Sequence, residues 1–266
     1  MSFEQLYYDN NTDRYQLTQK KKFGESSTTQ TLNTYDSQQL IQILEFSWDM
    51  TYGAKGEHRS TRTGGKISRK NLNKFGDVII GKLGELAFYN IFKQRPLIKE
   101  ISPLDFECYG LTMWDDADFT IRNIYNHTFQ IAVKTTKHIG NLLLLETDDW
   151  IIQNGKAIYV PNQQSNNVGH FDYLFFARVK SEINLLIQND VYNNYSDSEL
   201  KSYFFKSIKN MHILTEIVGY ISNQDLVYII ENKYILPQGS LFGAIIQGMD
   251  ASNYYVQSGC LRQIKK

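Results

Sequence analysis

The apolar period of this chain changes once, within residues 75–180, and that change limits the folds open to it. From 75 to 92 the apolar residues Ile79, Ile80, Leu83, Leu86, Ala87 and Ile91 recur at helical intervals, which predicts an amphipathic helix ended by Pro96. Gly81 and Gly84 fall inside it, each costing about 1 kcal/mol relative to alanine, so they point to close backbone packing against a neighbouring sheet. Runs of strand composition follow at 118–124, 128–136, 142–147 and 171–180, with Asn126-His127 as a tight hairpin connection between the first two. A helix leading into a strand meander and a further strand predicts an α/β fold, a mixed β-sheet flanked by helices.

The flanks read differently. Residues 1–38 are polar and rich in Asn, Gln and Thr, and read as an irregular arm, followed by a short helix over 38–50. Residues 51–74 carry Lys55, Arg59, Arg62, Lys66, Arg69, Lys70 and Lys74 against the single acid Glu57, the one strong charge imbalance in the sequence. Beyond the strands, 181–194 and 196–210 read as helices, the second opened by a capping box at Ser196 and Glu199. Residues 215–221 and 227–235 are mixed, and a turn at Pro237 and Gly239 opens a glycine-rich tail. Three regions result: 1–74, an arm and basic region; 75–180, the core; 181–266, a helical and mixed region packed on it.

Composition narrows the function classes. A chain of 266 residues can bury a proper core, and its formal net charge of +0 leaves polyanion binding to local clusters. Two cysteines, Cys108 and Cys260, make neither a disulfide framework nor a four-thiolate zinc site, which suits a reducing cytoplasm. No apolar run approaches the roughly 20 residues needed to cross a bilayer, so no membrane partner is expected. There is no phosphate-binding Walker loop, dinucleotide fingerprint or nucleophile elbow, and the histidines show no metal-ligand spacing.

Three polar groups carry the chemistry. Glu85 lies on the helix in Gly81-Lys-Leu-Gly-Glu85, Asp118 opens the first strand run, and Lys134 lies on the next strand. Singly, each has a plainer reading: an exposed helix glutamate, a strand-end carboxylate, an edge lysine. Along 128–136, Phe129, Ile131 and Val133 share one face and Gln130, Ala132 and Lys134 the other, so Lys134 points away from its apolar neighbours. Two carboxylates can hold a divalent cation, and a lysine beside them can polarise a water, a set suited to metal-assisted attack on a phosphodiester.

In order and spacing these residues resemble the PD-(D/E)xK nuclease superfamily, and within it the type II restriction endonucleases, over residues 75–180. The resemblance implies a restriction-endonuclease-like core with N- and C-terminal DNA-recognition elaborations. It implies Asp118 as principal Mg²⁺ ligand, Glu85 as helix carboxylate, Lys134 as catalytic lysine and the Val133 carbonyl as a further ligand. The implied activity is site-specific cleavage of double-stranded DNA in a restriction–modification system, by a homodimer. Arg62, Lys66, Arg69, Lys70, Lys137 and His138 are the expected DNA contacts.

Ala132 departs from the pattern, which places an acid or glutamine two residues before the lysine. Three readings stay open: the second carboxylate is supplied by Glu85 or Glu146, the chain is a variant inactivated at this position, or it is a nuclease-fold DNA-binding protein. A structure-specific repair or phage-defence nuclease of the same fold is the alternative activity.

Overall fold

The computed structural model describes residues 2–32, 37–53, 71–107, 117–160, 169–187, 195–244 and 247–264. In chain order, β1 (Tyr7–Asp9) and β2 (Arg14–Gln16) form a hairpin, followed by β3 (Gln30–Thr31), α1 (Ser37–Thr51) and α2 (Asn71–Phe92). The meander of β4 (Ile98–Ile101), β5 (Phe119–Asn123) and β6 (Thr128–Lys137) comes next. Then follow β7 (Leu142–Glu146), the hairpin of β8 (Trp150–Gln153) and β9 (Lys156–Tyr159), and β10 (Tyr173–Lys180). The remainder is α3 (Ile183–Ile187), α4 (Asp197–Lys209), β11 (Leu214–Ser222), α5 (Asn223–Glu231), β12 (Ile235–Leu236), β13 (Leu241–Phe242) and β14 (Asn253–Gln257).

The main sheet has the order β3-β11-β10-β6-β5-β4. It is mixed: β10 runs parallel to β6, and its other pairings are antiparallel. A parallel neighbour needs a crossover, and here the β7, β8 and β9 segment supplies it. The fold is therefore α/β, with helices flanking a mixed sheet, as the change of period predicts.

Both faces of this sheet are covered. On one, Ala87 and Phe88 of α2 meet Phe119, Ile131, Val133, Phe175 and Ile217. The first half of α2 turns Phe75, Ile79 and Leu83 into a second cluster with α1, α3 and α4, built on Ile43, Ile183 and Phe204. On the opposite face, Ala132, Leu174 and Phe176 pack with Leu143 of β7, Val256 of β14 and Leu226 of α5. The small sheet β12-β14-β7 forms part of that layer.

Gly84 lets α2 approach the sheet, because a Cβ there would lie 2.0 Å from Thr135 Oγ1 of β6. Gly81 differs from expectation: a Cβ there would meet nothing within 4 Å, so it is not a packing glycine. The β5–β6 connection turns at Asn126, whose φ is 62°, with the Asn123 side chain accepting from the Tyr125 and His127 amides. Ser196 and Glu199 form the expected capping box on α4.

The arm, which reads as irregular, contains strands, and the tail contributes β14 to a second sheet. Residues 2–32 contribute β1 to β3, and β3 pairs with β11 in the main sheet. Gln257 of β14 holds the arm by accepting from the Thr18 and Gln19 amides at 2.8 and 2.9 Å. A fully buried Arg178–Glu216 pair adds a second anchor, with Arg178 donating to the Lys21 carbonyl and Glu216 accepting from the Gly24 amide.

Candidate active site

Asp118 sits just before β5, where the ladder with β6 stops. The last pair is Phe119 opposite Ile131, and the next available N–H of β6, that of Val133, donates to Asp118 Oδ2 at 2.6 Å. A carboxylate that accepts a ladder amide is fixed in place, and Oδ1 has no hydrogen-bond partner among the described residues. The amide of Val133 is thus committed to Asp118.

Glu85 follows Gly84, the residue that presses α2 onto Thr135, so the close approach that needs glycine also carries the carboxylate to the sheet. Its side chain is only 13% exposed, not the solvated helix residue its position alone would suggest. Burial raises the Glu85 pKa to about 7; Lys82 opposes that rise, and the charges of Asp118 and Asp105 add to it. Asp118 and Asp105 are therefore near enough for their charges to be felt at Glu85. Glu85 and Asp118, with 32 residues between them in the sequence, are thus near enough in the fold for their charges to interact.

Lys82 escaped the sequence reading. Lys82 and Glu85 are i,i+3 neighbours on α2, and Nζ lies 2.7 Å from Glu85 Oε2. The lysine side chain is 14% exposed, with Nζ 4.9 Å from the centre of the Phe46 ring and 6.0 Å from that of Phe106. Burial pulls its pKa down, but the Glu85, Asp118 and Asp105 charges outweigh that and raise it. The ion pair leaves Glu85 Oε1 with no hydrogen-bond partner among the described residues.

Lys134 lies on the other side of β6. By alternation it shares the side of Ala132, and its Nζ is 5.4 Å from the centre of the Tyr159 ring. This side is not a solvated face: Ala132 is 1% exposed inside the apolar cluster beneath β7. Glu146, the other candidate for the displaced acid, is buried at the end of β7 in that same covering layer. Asp118 thus stands at the level of β6 where the two sides meet, Glu85 and Lys82 on one and Lys134 on the other.

Arg62, Lys66, Arg69 and Lys70 lie outside the described residues. Lys137 ends β6, half-buried. His138 follows it with its amide bonded to the Val179 carbonyl and its ring edge-on to Phe23 at 5.8 Å. Burial, then Lys180 and Arg178, lower the His138 pKa, so at neutral pH it would meet a phosphate as a hydrogen-bond donor, not as a cation. Cys260 is buried, with its thiol pKa raised by that burial, in keeping with an inert role.

Among the described residues, no three His, Cys, Asp or Glu side chains are grouped to hold a metal ion. Mg²⁺ does not need three: it is held by one or two carboxylates, keeping waters and taking substrate phosphates. Asp118 and Glu85 fit that demand, as two carboxylates that repel each other and each keep an oxygen without a hydrogen bond. A surface hollow of about 230 Å³ lined by Lys156, His170, Asp172, Ser222, Asn223 and Gln224 includes none of these residues. No described helix is long and apolar enough to cross a membrane. Comparison with protein-family models, curated proteins and solved structures finds no match to this chain.

Proposed function

We propose that this chain is a Mg²⁺-dependent endonuclease of the PD-(D/E)xK superfamily, cutting double-stranded DNA at specific sites as part of a restriction–modification system. The observation that carries the reading is that Asp118, just before β5, and Glu85 of α2 lie within range of each other's charge beside the strand that bears Lys134. Helix, strand and next strand follow in the order of that superfamily, and β10 then pairs in parallel with the lysine strand.

Asp118, pinned by the Val133 amide, and Glu85, once ionised, would hold Mg²⁺ between them. The ion, when bound, supplies a Lewis acid for a phosphoryl oxygen. Lys134, one residue beyond the Asp118–Val133 hydrogen bond, would orient and polarise the water for in-line attack at phosphorus as an ammonium. The basic stretch 55–74 leads into α2, where its lysines and arginines would meet phosphates. A homodimer matches a two-fold DNA site to a two-fold protein.

A second reading keeps one observation in its favour. Ala132 fills the acid's place with an apolar side chain buried in the core, which suits a nuclease-fold protein that binds DNA without cutting it. Digestion of long mixed-sequence DNA separates the readings. Discrete Mg²⁺-dependent fragments are expected; a smear or junction-only cutting would indicate a structure-specific nuclease, and retention of uncut DNA the binding protein.

A further inference from the structure

We propose that Lys82 is a second basic group of this site and donates to a non-bridging oxygen of the scissile phosphate. The inference rests on the nuclease reading above and adds to it the residue on α2 that receives the substrate's charge.

Lys82 has unspent donors. An ammonium has three N–H groups, and Lys82 uses one of them, on Glu85 Oε2 at 2.7 Å. No other hydrogen bond leaves its Nζ among the described residues. The Phe46 and Phe106 rings near it attract the charge through their faces but accept no ordinary hydrogen bond. A side chain 14% exposed has little water to take the other two donors, so it is prepared for an anionic oxygen.

Charge makes the same demand. The charges of Glu85, Asp118 and Asp105 all reach Lys82, so the field around it is negative. A phosphate entering that field is repelled unless fixed positive charge awaits it. Lys134 supplies such charge from the Tyr159 side of β6, whereas Lys82 supplies it from the Glu85 side. Helix α2 is a rigid carrier for it, held to β6 at Gly84.

The plain structural alternative is that Lys82 only neutralises Glu85. Lys82→Met keeps the bulk of the side chain and removes the donors. Mg²⁺-dependent DNA cleavage by Lys82→Met should show kcat lowered at least about 100-fold, with KM for DNA within about threefold. Mn²⁺ binding, followed by calorimetry, should be kept, because both carboxylates remain. Should Lys82→Met not fold, Lys82→Arg keeps the charge and the ion pair, and its displaced donors should still lower kcat at least about tenfold. Parental kcat in the folded variant would overturn the proposal, as would Mn²⁺ binding lost together with cleavage, which would make Lys82 a holder of Glu85. If the parental chain leaves DNA intact at every Mg²⁺ concentration, the nuclease reading itself fails and the Lys82 assignment falls with it. If parental and variant chains cut alike, the Lys82 assignment alone fails.

Discussion

The two sides of β6 make opposite use of the same strand. Toward α2, Ile131, Val133 and Thr135 form a floor that the helix approaches closely at Gly84, setting Glu85 and Lys82 beside it, so charge enters on the helix and not on the strand. Toward β7, the strand itself carries the charge, at Lys134, and Ala132 beside it is part of the core. A carboxylate absent from the strand thus has a counterpart on the helix, Glu85, at which the charge of Asp118 is felt. The contrast favours, among the readings of Ala132, the one in which the second acid stands at Glu85.

The comparison can be broken by substitution. Asp118 serves both sides, so Asp118→Ala should cost most, lowering the initial rate of DNA cleavage by at least about 10³-fold while circular dichroism stays unchanged. Glu85→Ala should follow, with a loss on the order of 10²-fold, because it removes one ligand of two. A Glu85→Ala protein that cuts at the parental rate would move the second acid elsewhere, with Glu146 the next residue to replace.

Ala132→Glu addresses the other side. If the strand had merely lost its acid, restoring it would raise cleavage. The packing around Ala132 argues otherwise, since a carboxylate there enters a cluster with Leu143, Leu174 and Phe176. Denaturant unfolding should show a loss of about 2–4 kcal/mol, reduced where Lys134 can turn to meet the new charge. Unchanged stability with faster cleavage would restore the inactivated-variant reading.

The smallest effect is in pH. Folded Glu85 ionises at about 7 against an ordinary 4.5, so keeping it charged costs stability. Its contribution is whole below pH 4.5 and is lost as pH rises through about 7. Stability of the parental chain should therefore fall over that window, and Glu85→Gln should flatten the fall between pH 5 and 7. Cleavage should move the other way, rising through about pH 7 as the carboxylate becomes available. A parental unfolding profile with the same slope as Glu85→Gln would place Glu85 in water.

How legible this was in the sequence depended on range. Helix α2, the β5–β6 hairpin and the cap of α4 are written locally, in apolar spacing, in Asn126 and in Ser196 with Glu199, and they stand where expected. The arm escaped because β3 has only two residues, Gln30 and Thr31, and is held by backbone pairing with β11, not by an apolar run. In the tail, β14 is bounded by the buried polar residues Asn253 and Gln257, whose burial depends on partners far along the chain. The β8–β9 hairpin is also written locally: Asn154-Gly155, both at positive φ, is the strongest short hairpin signal. Asp118 and Glu85 were legible as types in order, whereas Lys82 acquires its meaning only from Phe106, Asp105 and Asp118, residues far along the chain that folding brings to it.

On this reading Glu85 and Asp118 share one cation. The most direct test is a Mg²⁺ titration of DNA cleavage by the parental and Glu85→Gln proteins at pH 8, where the parental carboxylate is ionised. The account predicts saturable, Mg²⁺-dependent cutting by the parental chain, and a midpoint shifted to higher Mg²⁺ by about 10–100-fold in Glu85→Gln. The same Mg²⁺ midpoint in both proteins, or no cutting by the parental chain at any concentration, would contradict it.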